Sequence, residues 1–152
     1  MATIDLEMLR RAELFSALTP EQVRPFAEAA TETTHEEGET LTEEGVHGHR
    51  FHLLLDGTAS VGRGGREVAT VGPGEFVGEI GLLGGGPSTA TVRCTSQVRA
   101  LTLRREQFWA VLEAEPSIAL RILEVVCRRL ERELVSGPRA NLGEGSESPP
   151  VG

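Results

Sequence analysis

The chain has 152 residues, of which 39% are hydrophobic and 25% charged, a composition typical of a single globular domain. No apolar run approaches the ~20 residues that a membrane-spanning helix needs, and the charged residues near the N-terminus exclude a secretory signal, so we expect a cytoplasmic protein. The net charge is −8 and every basic residue is arginine, which argues against a direct nucleic-acid partner because such binding depends on several cation–phosphate pairs.

The N-terminal part of the chain is predicted to be helical. A short helix is expected over residues 6–14, and a second helix begins at Thr19, which can cap the chain ahead of Pro20. Gln22 stands where the partner in a capping box belongs. Apolar residues then recur at helical spacing, at Val23, Phe26, Ala27 and Ala30.

From about residue 33 to residue 103, short apolar runs alternate with glycine, a pattern typical of an all-β sandwich or barrel. Gly64 and Gly65 predict a hairpin turn, because glycine accepts the positive φ that such turns need. Residues 72–74, Gly-Pro-Gly, predict a second sharp break. The predicted strands include residues 51–55, 58–61, 68–71, 89–92 and 98–103.

The helical period returns after residue 103. One helix is predicted over residues 106–114 and, after Pro116, a long one over residues 117–135. Residues 136–152 are rich in Gly, Ser and Pro without an apolar period, so we expect one domain over residues 1–135 and a disordered tail over residues 136–152. The long helix carries an apolar stripe with steps of three and four, formed by Ala119, Leu123, Val126, Leu130 and Leu134.

Cysteines and histidines give no sign of a metal site. Cys94 and Cys127 lie in different predicted elements, so we expect two reduced, buried cysteines that serve in packing. His47, His49 and His52 match no standard zinc spacing, and no metal is predicted. No nucleophile–base constellation stands out either, and we expect a protein that is not an enzyme.

The segment that carries most information is Phe-Val-Gly-Glu-Ile-Gly-Leu-Leu at residues 76–83, followed by Pro-Ser-Thr-Ala-Thr-Val at residues 87–92. Together they resemble the phosphate-binding cassette of the cyclic nucleotide-binding domain family. Other motifs of that family occur in matching order and extend the resemblance over about residues 9–134. These motifs lie at residues 14–21, 38–45, 51–57, 71–76 and 103–108.

The resemblance implies a mainly β fold with flanking helices: an eight-stranded jelly-roll barrel, N-terminal helices and a long C-terminal helix. It implies cAMP or cGMP as the ligand, bound between the cassette and the long helix, with no other cofactor. In related dimeric regulators the long helix pairs with its twin. The apolar stripe from Ala119 to Leu134 is therefore expected to form a homodimer or to contact a separate effector protein.

The resemblance also assigns roles to individual residues. Glu79 is expected to accept a hydrogen bond from the ribose 2′-OH, and the backbone N–H groups of residues 78–81 to face the cyclic phosphate. Thr89 would add a hydroxyl to the phosphate or to a guanine edge, and Ala90 is small where the ligand's ring must fit. The expected ligand-binding residues are Gly78, Glu79, Ile80, Gly81, Ser88, Thr89 and Ala90.

This chain departs from the family pattern at Ser88, where the family places the Arg that pairs with the phosphate. A charged hydrogen bond is worth roughly 1.5–3 kcal/mol, so its loss should weaken binding by about one to two orders of magnitude. Arg93 or Arg99 on nearby predicted strands could substitute, but surface arginines on strands are the simpler interpretation. Glu133 and Leu134 align with the Thr-Ser pair that contacts adenine in bacterial activators, so adenine recognition of that kind is not supported.

Three functional hypotheses follow from these observations. The first is a regulatory domain that senses a cyclic nucleotide and relays it through the long helix to a dimer or to a partner protein. The second is a degenerate family member, without the phosphate Arg at Ser88, that serves as a ligand-independent dimerisation or docking module. The third is a transcription regulator that lacks its own DNA-binding module, and the charge of −8 counts against direct DNA contact.

Overall fold

The computed structural model describes residues 5–48 and 50–136, which form mainly β-strands, preceded and followed along the chain by helices. The chain divides into two compact units, Met1–Ile118 and Ala119–Gly152. In chain order the elements are α1 (Leu6–Leu9), a 3-10 turn (Glu13–Phe15), α2 (Pro20–Ala29), β1 (Thr31–His35), β2 (Thr40–Thr42), β3 (Arg50–Asp56), β4 (Ala59–Arg63), β5 (Arg66–Val71), β6 (Phe76–Val77), α3 (Glu79–Gly84), β7 (Thr91–Cys94), β8 (Val98–Arg104), α4 (Arg105–Ala114) and α5 (Pro116–Ser136).

The N-terminal helices are confirmed in part. The capping box of α2 is present, with the Gln22 N–H donating to Thr19 Oγ1 at 3.2 Å and the Thr19 N–H donating to Gln22 Oε1 at 2.9 Å. The predicted helix over residues 6–14 is wrong in its length, because α1 ends at Leu9. Ala12 adopts an extended backbone with ψ 141°, and the 3-10 turn that follows places Leu14 and Phe15 in the core.

The eight described strands form two antiparallel four-stranded sheets, in the orders β1-β8-β3-β6 and β2-β7-β4-β5. This arrangement confirms the predicted mainly β class. The hairpin between β4 and β5 is also confirmed, since Gly64 and Gly65 lie at its turn with φ +59° and +81°. The strand predicted over residues 89–92 is wrong at its start, because β7 begins at Thr91.

Five phenylalanine rings connect the 3-10 turn, α2 and α4 to strands β3 and β6. Phe15 and Phe26 lie 4.9 Å apart, and Phe26 contacts Phe51 of β3 at 6.0 Å between ring centroids. Phe51 in turn contacts Phe76 at 5.3 Å and Phe108 of α4 at 5.0 Å. All five rings are 0–1% exposed, so β3, β6 and α4 are held together directly beside the residues of the predicted site.

The predicted long helix is confirmed as α5, but its buried residues are not the predicted stripe. Ile118, Ile122 and Val125 are buried, whereas the stripe residues are exposed or half-buried. Both sets have helical spacing, so periodicity could not decide between them. Leu123, Leu130 and Leu134 are each more than half exposed, and Ala119 and Val126 are half-buried.

The cysteine prediction is correct for one residue and wrong for the other. Cys94 is 2% exposed and packs in the cluster between the sheets, and burial raises the pKa of its thiol. Cys127 is exposed, because it lies on α5 away from the buried residues. Both cysteines are free thiols.

No helix in the part of the chain that the structure describes is both long and apolar enough to span a bilayer. The predicted tail, apart from Ser136 at the end of α5, lies outside the described residues. The predicted domain boundaries at residues 135 and 136 remain predictions.

Candidate functional site

The cassette, defined here as residues 76–92, contains at its third position a glycine that no other residue could replace without strain. Gly78 has φ +96° and directly precedes α3. A Cβ at this position would lie 2.3 Å from the Arg50 carbonyl oxygen and 3.5 Å from Phe51 Cα. Real Cβ atoms do not approach backbone so closely, so the start of β3 packs against the cassette only because residue 78 is glycine.

Two further glycines enclose the hydroxyl of Ser88. A Cβ at Gly81 would lie 3.7 Å from Ser88 Oγ, and a Cβ at Gly48 would lie 3.0 Å from the same atom. The backbone of Ser88 is fixed by two hydrogen bonds of 2.9 Å, its N–H to the Val46 carbonyl and its carbonyl from the Gly45 N–H. These bonds hold Ser88 against the loop before β3, and the Ala90 carbonyl accepts a hydrogen bond of 3.0 Å from the Thr42 hydroxyl, so β7 begins only at Thr91.

The other predicted ligand residues differ in their exposure. Glu79, the first residue of α3, is only 5% exposed, and Ala90 is buried as well. Ile80 is 42% exposed and Thr89 is exposed. The cassette therefore presents a buried carboxylate close to glycine backbone, while the Thr89 side chain faces solvent in this structure.

Helix α4 is bonded to the cassette and to the loop before β3. The Trp109 indole N–H donates to the Leu82 carbonyl at 3.3 Å, and the Arg105 guanidinium donates to the Gly48 carbonyl at 3.0 Å. Neither residue was predicted as part of the site. Both hydrogen bonds arise from the way α4 packs, and the local sequence pattern does not predict that packing.

A pocket of about 280 Å³ lies beside Ser88. Ser88 is the one predicted ligand residue that lines it, so the structure does not gather the seven predicted residues around a single described cavity. The pocket instead brings Ser88 together with Arg50, which the sequence analysis did not single out. The lining residues are Thr40, Leu41, Thr42, Glu43, Val46, His47, Gly48, Arg50 and Ser88.

The two arginines that could substitute for the missing phosphate Arg each have a partner within the protein. Arg99 forms an ion pair of 2.7 Å with Glu32, across the β1–β8 pairing. Arg93 donates to Thr40 Oγ1 at 3.4 Å and is exposed on β7. Neither residue lines the pocket beside Ser88.

A chain of hydrogen bonds runs from the surface to a buried histidine on β3. His52 Nδ1 lies 3.0 Å from Thr102 Oγ1, which lies 2.9 Å from Thr33 Oγ1. Thr33 Oγ1 contacts His35 Nε2 at 2.8 Å, and His35 Nδ1 contacts Glu39 at 2.6 Å. Burial lowers the pKa of His52 to about 4. His52 is therefore neutral at pH 7, and its ring is a hydrogen-bonded part of the core.

Within residues 5–48 and 50–136, no three His, Cys, Asp or Glu side chains are arranged to hold a metal ion. His49 lies outside the described residues, and His47 forms an isolated bridge with Pro87.

Comparison with known proteins places this geometry in a family. Residues 32–115, more than half of the chain, match the family profile described as cyclic nucleotide-binding domain. A CRP-like cAMP-activated global transcriptional regulator of Mycobacterium tuberculosis is 28% identical over 131 residues, covering 83% of this chain and 58% of that protein. A cAMP-dependent protein kinase regulatory subunit of Hypocrea atroviridis is 33% identical over 104 residues, covering 68% of this chain and 22% of that protein.

The fold comparison agrees with the sequence comparison. The crystal structure of Thermus thermophilus catabolite activator protein matches with a TM-score of 0.74 and 28% identity, covering 82% of this chain and 61% of that chain. The present chain thus spans less than two thirds of these relatives. The jelly-roll arrangement implied by the motifs is confirmed, and the chain belongs to the cyclic nucleotide-binding domain family.

Proposed function

We propose that this chain is a regulatory domain that binds a cyclic nucleotide at the cassette and transmits the binding event through α5. The observation that carries this proposal is the cassette itself: Gly78 allows the backbone of β3 to approach closely, and the buried carboxylate of Glu79 follows it in the family's order. The relatives act as regulators by name, which supports a regulatory rather than an enzymatic role.

The chemistry of the ligand fits these groups. A cyclic nucleotide offers one singly charged phosphodiester, a ribose 2′-OH and a base. The Glu79 carboxylate can accept the 2′-OH hydrogen bond, and the backbone N–H groups at the start of α3 can donate to the phosphate because the first N–H groups of a helix have no partner within the helix. Ala90 leaves space for the ring, and Thr89 supplies a hydroxyl within the same cassette.

We propose cAMP as the first ligand to test, because the names of two relatives specify cAMP activation or dependence. cGMP is the second ligand, since the Thr89 hydroxyl could also contact a guanine edge. The aligned pair Glu133 and Leu134 cannot reproduce the Thr-Ser contact to adenine, so any adenine preference would have to arise elsewhere.

The proposed output is a change in the contacts of α5. Its exposed leucines, Leu123, Leu130 and Leu134, form an apolar surface that a second copy or a separate effector would cover. A homodimer through this stripe is the simplest form of the proposal. Sedimentation equilibrium of the full chain, compared with Leu123→Glu/Leu130→Glu, tests it: a dimer is expected, and the double variant should be monomeric.

Calorimetric titration of the full chain with cAMP and cGMP tests the ligand proposal. Binding is expected, and Glu79→Gln should weaken it by about tenfold because the charged acceptor of the 2′-OH hydrogen bond becomes a neutral amide. Glu67→Gln on β5 is the matched control, because Glu67 is exposed on a different element, and its affinity should equal that of wild type. Absence of binding to both nucleotides at millimolar concentration, by a chain that is folded by circular dichroism, would overturn the proposal.

The alternative function is a ligand-independent docking module. Ser88 favours it, because a family member without the phosphate Arg lacks the strongest single contact to the ligand. In that case the oligomeric state should be the same with and without nucleotide, and the apolar stripe on α5 would be the functional surface.

A further inference from the structure

Arg50 is the one arginine that lines the pocket beside Ser88, and it is exposed. Arg50 begins β3 and lines the same pocket as Ser88. Resting on the proposed function, we propose that Arg50 supplies the cationic contact to the ligand's phosphate that the family pattern assigns to the position of Ser88.

The backbone of Arg50 is in direct contact with the cassette. Its carbonyl oxygen is the atom that excludes any side chain at Gly78, so the start of β3 and the turn into α3 are in direct contact. Two residues earlier, Gly48 lies against the Ser88 hydroxyl. The serine in place of the family's Arg and the arginine at the start of β3 therefore belong to one local structure, although they lie far apart in the sequence.

The charge around Arg50 is unfavourable in the absence of an anion. Arg50 pairs directly with Arg104 in the β3–β8 register, and like charges opposite each other on antiparallel strands are destabilising. Arg105 adds a third guanidinium, bonded to the carbonyl of Gly48. Within the described residues, Arg50 has no ion pair and no side-chain hydrogen bond, and Arg104 has only a 3.8 Å pair with exposed Glu106. In a chain of net charge −8, this concentration of arginines favours an anionic ligand.

The other groups in the pocket suit a phosphodiester. A guanidinium can bind two phosphate oxygens at once, and the hydroxyls of Ser88 and Thr40 line the same pocket. The Thr40 oxygen already accepts a hydrogen bond from Arg93, which leaves its proton to donate to an anion. Glu43 is the one carboxylate in the lining, and its charge opposes an anionic ligand.

Titration of cAMP and cGMP into four forms of the full chain tests the role of Arg50. Arg50→Gln keeps a long polar side chain without the charge and should weaken binding by about 10- to 100-fold. Arg66→Gln removes an exposed arginine from β5 and should bind as wild type does. Adding Ser88→Arg to Arg50→Gln should restore the affinity, because it returns a guanidinium to the same pocket.

The affinities of wild type and Arg50→Gln distinguish the role of Arg50 from the binding of a cyclic nucleotide as such. Equal affinity of wild type and Arg50→Gln would overturn the role of Arg50 while leaving the cyclic nucleotide function intact. Absence of wild-type binding would overturn both. If Arg50→Gln fails to fold by circular dichroism, Glu43→Gln provides the second measurement: it should strengthen binding by a few-fold, and unchanged or weaker binding would count against an anion in this pocket.

Discussion

Lowering the pH from 7 to 5 should destabilise the protein through one buried side chain, His52. The ring is 3% exposed, its Nδ1 lies 3.0 Å from Thr102 Oγ1, and the ring of His35 contacts it edge-on at 5.7 Å. Burial lowers the pKa of His52 from 6.5 to about 4, and the charges of His35 and Arg50 act in the same direction. The folded protein therefore keeps His52 neutral at a pH where the unfolded chain already binds a proton.

The difference between the folded and unfolded pKa sets the sign and the size of the effect. Because the folded value is the lower one, the unfolded chain binds more protons between pH 6.5 and about pH 4, and stability falls through that window as the pH drops. A pKa difference of about 2.5 is worth about 3 kcal/mol in full. At pH 5 about 2 kcal/mol of that stability should already be lost.

Urea unfolding followed by circular dichroism at pH 7, 6 and 5 measures this loss as a change in the free energy of unfolding. His52→Asn removes the titrating ring while keeping an amide near Thr102, so its stability should be lower at pH 7 but nearly constant down to pH 5. His47→Asn, at an exposed histidine, is the matched control and should retain the wild-type slope.

The titration of Glu39 does not contribute to the change in the free energy of unfolding above pH 5. Its hydrogen bond with His35 lowers the pKa of its carboxyl below the usual 4.5, so the stability that it contributes is lost only as the pH falls below that value. A wild-type free energy of unfolding that is equal at pH 7 and pH 5 would refute the reasoning. A slope that persists unchanged in His52→Asn would refute it equally.

Three other perturbations have defined outcomes. Gly78→Ala should lower the free energy of unfolding by about 2–4 kcal/mol, because φ is positive and the added Cβ meets the Arg50 carbonyl. Gly84→Ala is the control, because a Cβ at residue 84 has open space around it. Equal stability of the two variants in urea unfolding would contradict this prediction. Trp109→Phe loses the bond to the Leu82 carbonyl and should cost about 1 kcal/mol in the same assay. A thiol reagent should label exposed Cys127 in the native protein and buried Cys94 only after unfolding, as mass spectrometry would show.

Features that depend on neighbouring residues were predicted from the sequence alone. The capping box at Thr19, the hairpin at Gly64 and Gly65, and the long helix that follows Glu115 all depend on interactions that span a few residues. The family resemblance depended on motifs in a fixed order, and it led correctly to the fold. The close approach of the Arg50 backbone to Gly78 was not predicted, and the role of Gly78 at the ligand's phosphate remains a prediction.

Strands with polar sequences were not predicted. β1 reads Thr-Glu-Thr-Thr-His, without an apolar residue, and it becomes a strand because β8 offers hydrogen-bond partners along its whole length. The start of β7 was misplaced for a related reason, since Ser88 bonds to the loop at Gly45 and Val46 instead of to a strand. In both cases the partner segment is remote in the sequence.

The sequence by itself therefore determined the order of the elements, the turns and the motifs of the cassette, because these depend on local spacing and on residue type. The tertiary structure decided which face of α5 is buried, that Cys127 is exposed, and that Arg50 lies in the same pocket as Ser88. Helical spacing permits more than one apolar face, and the packing of loops against strands sets which distant side chains meet. Only the packed fold selects among these possibilities.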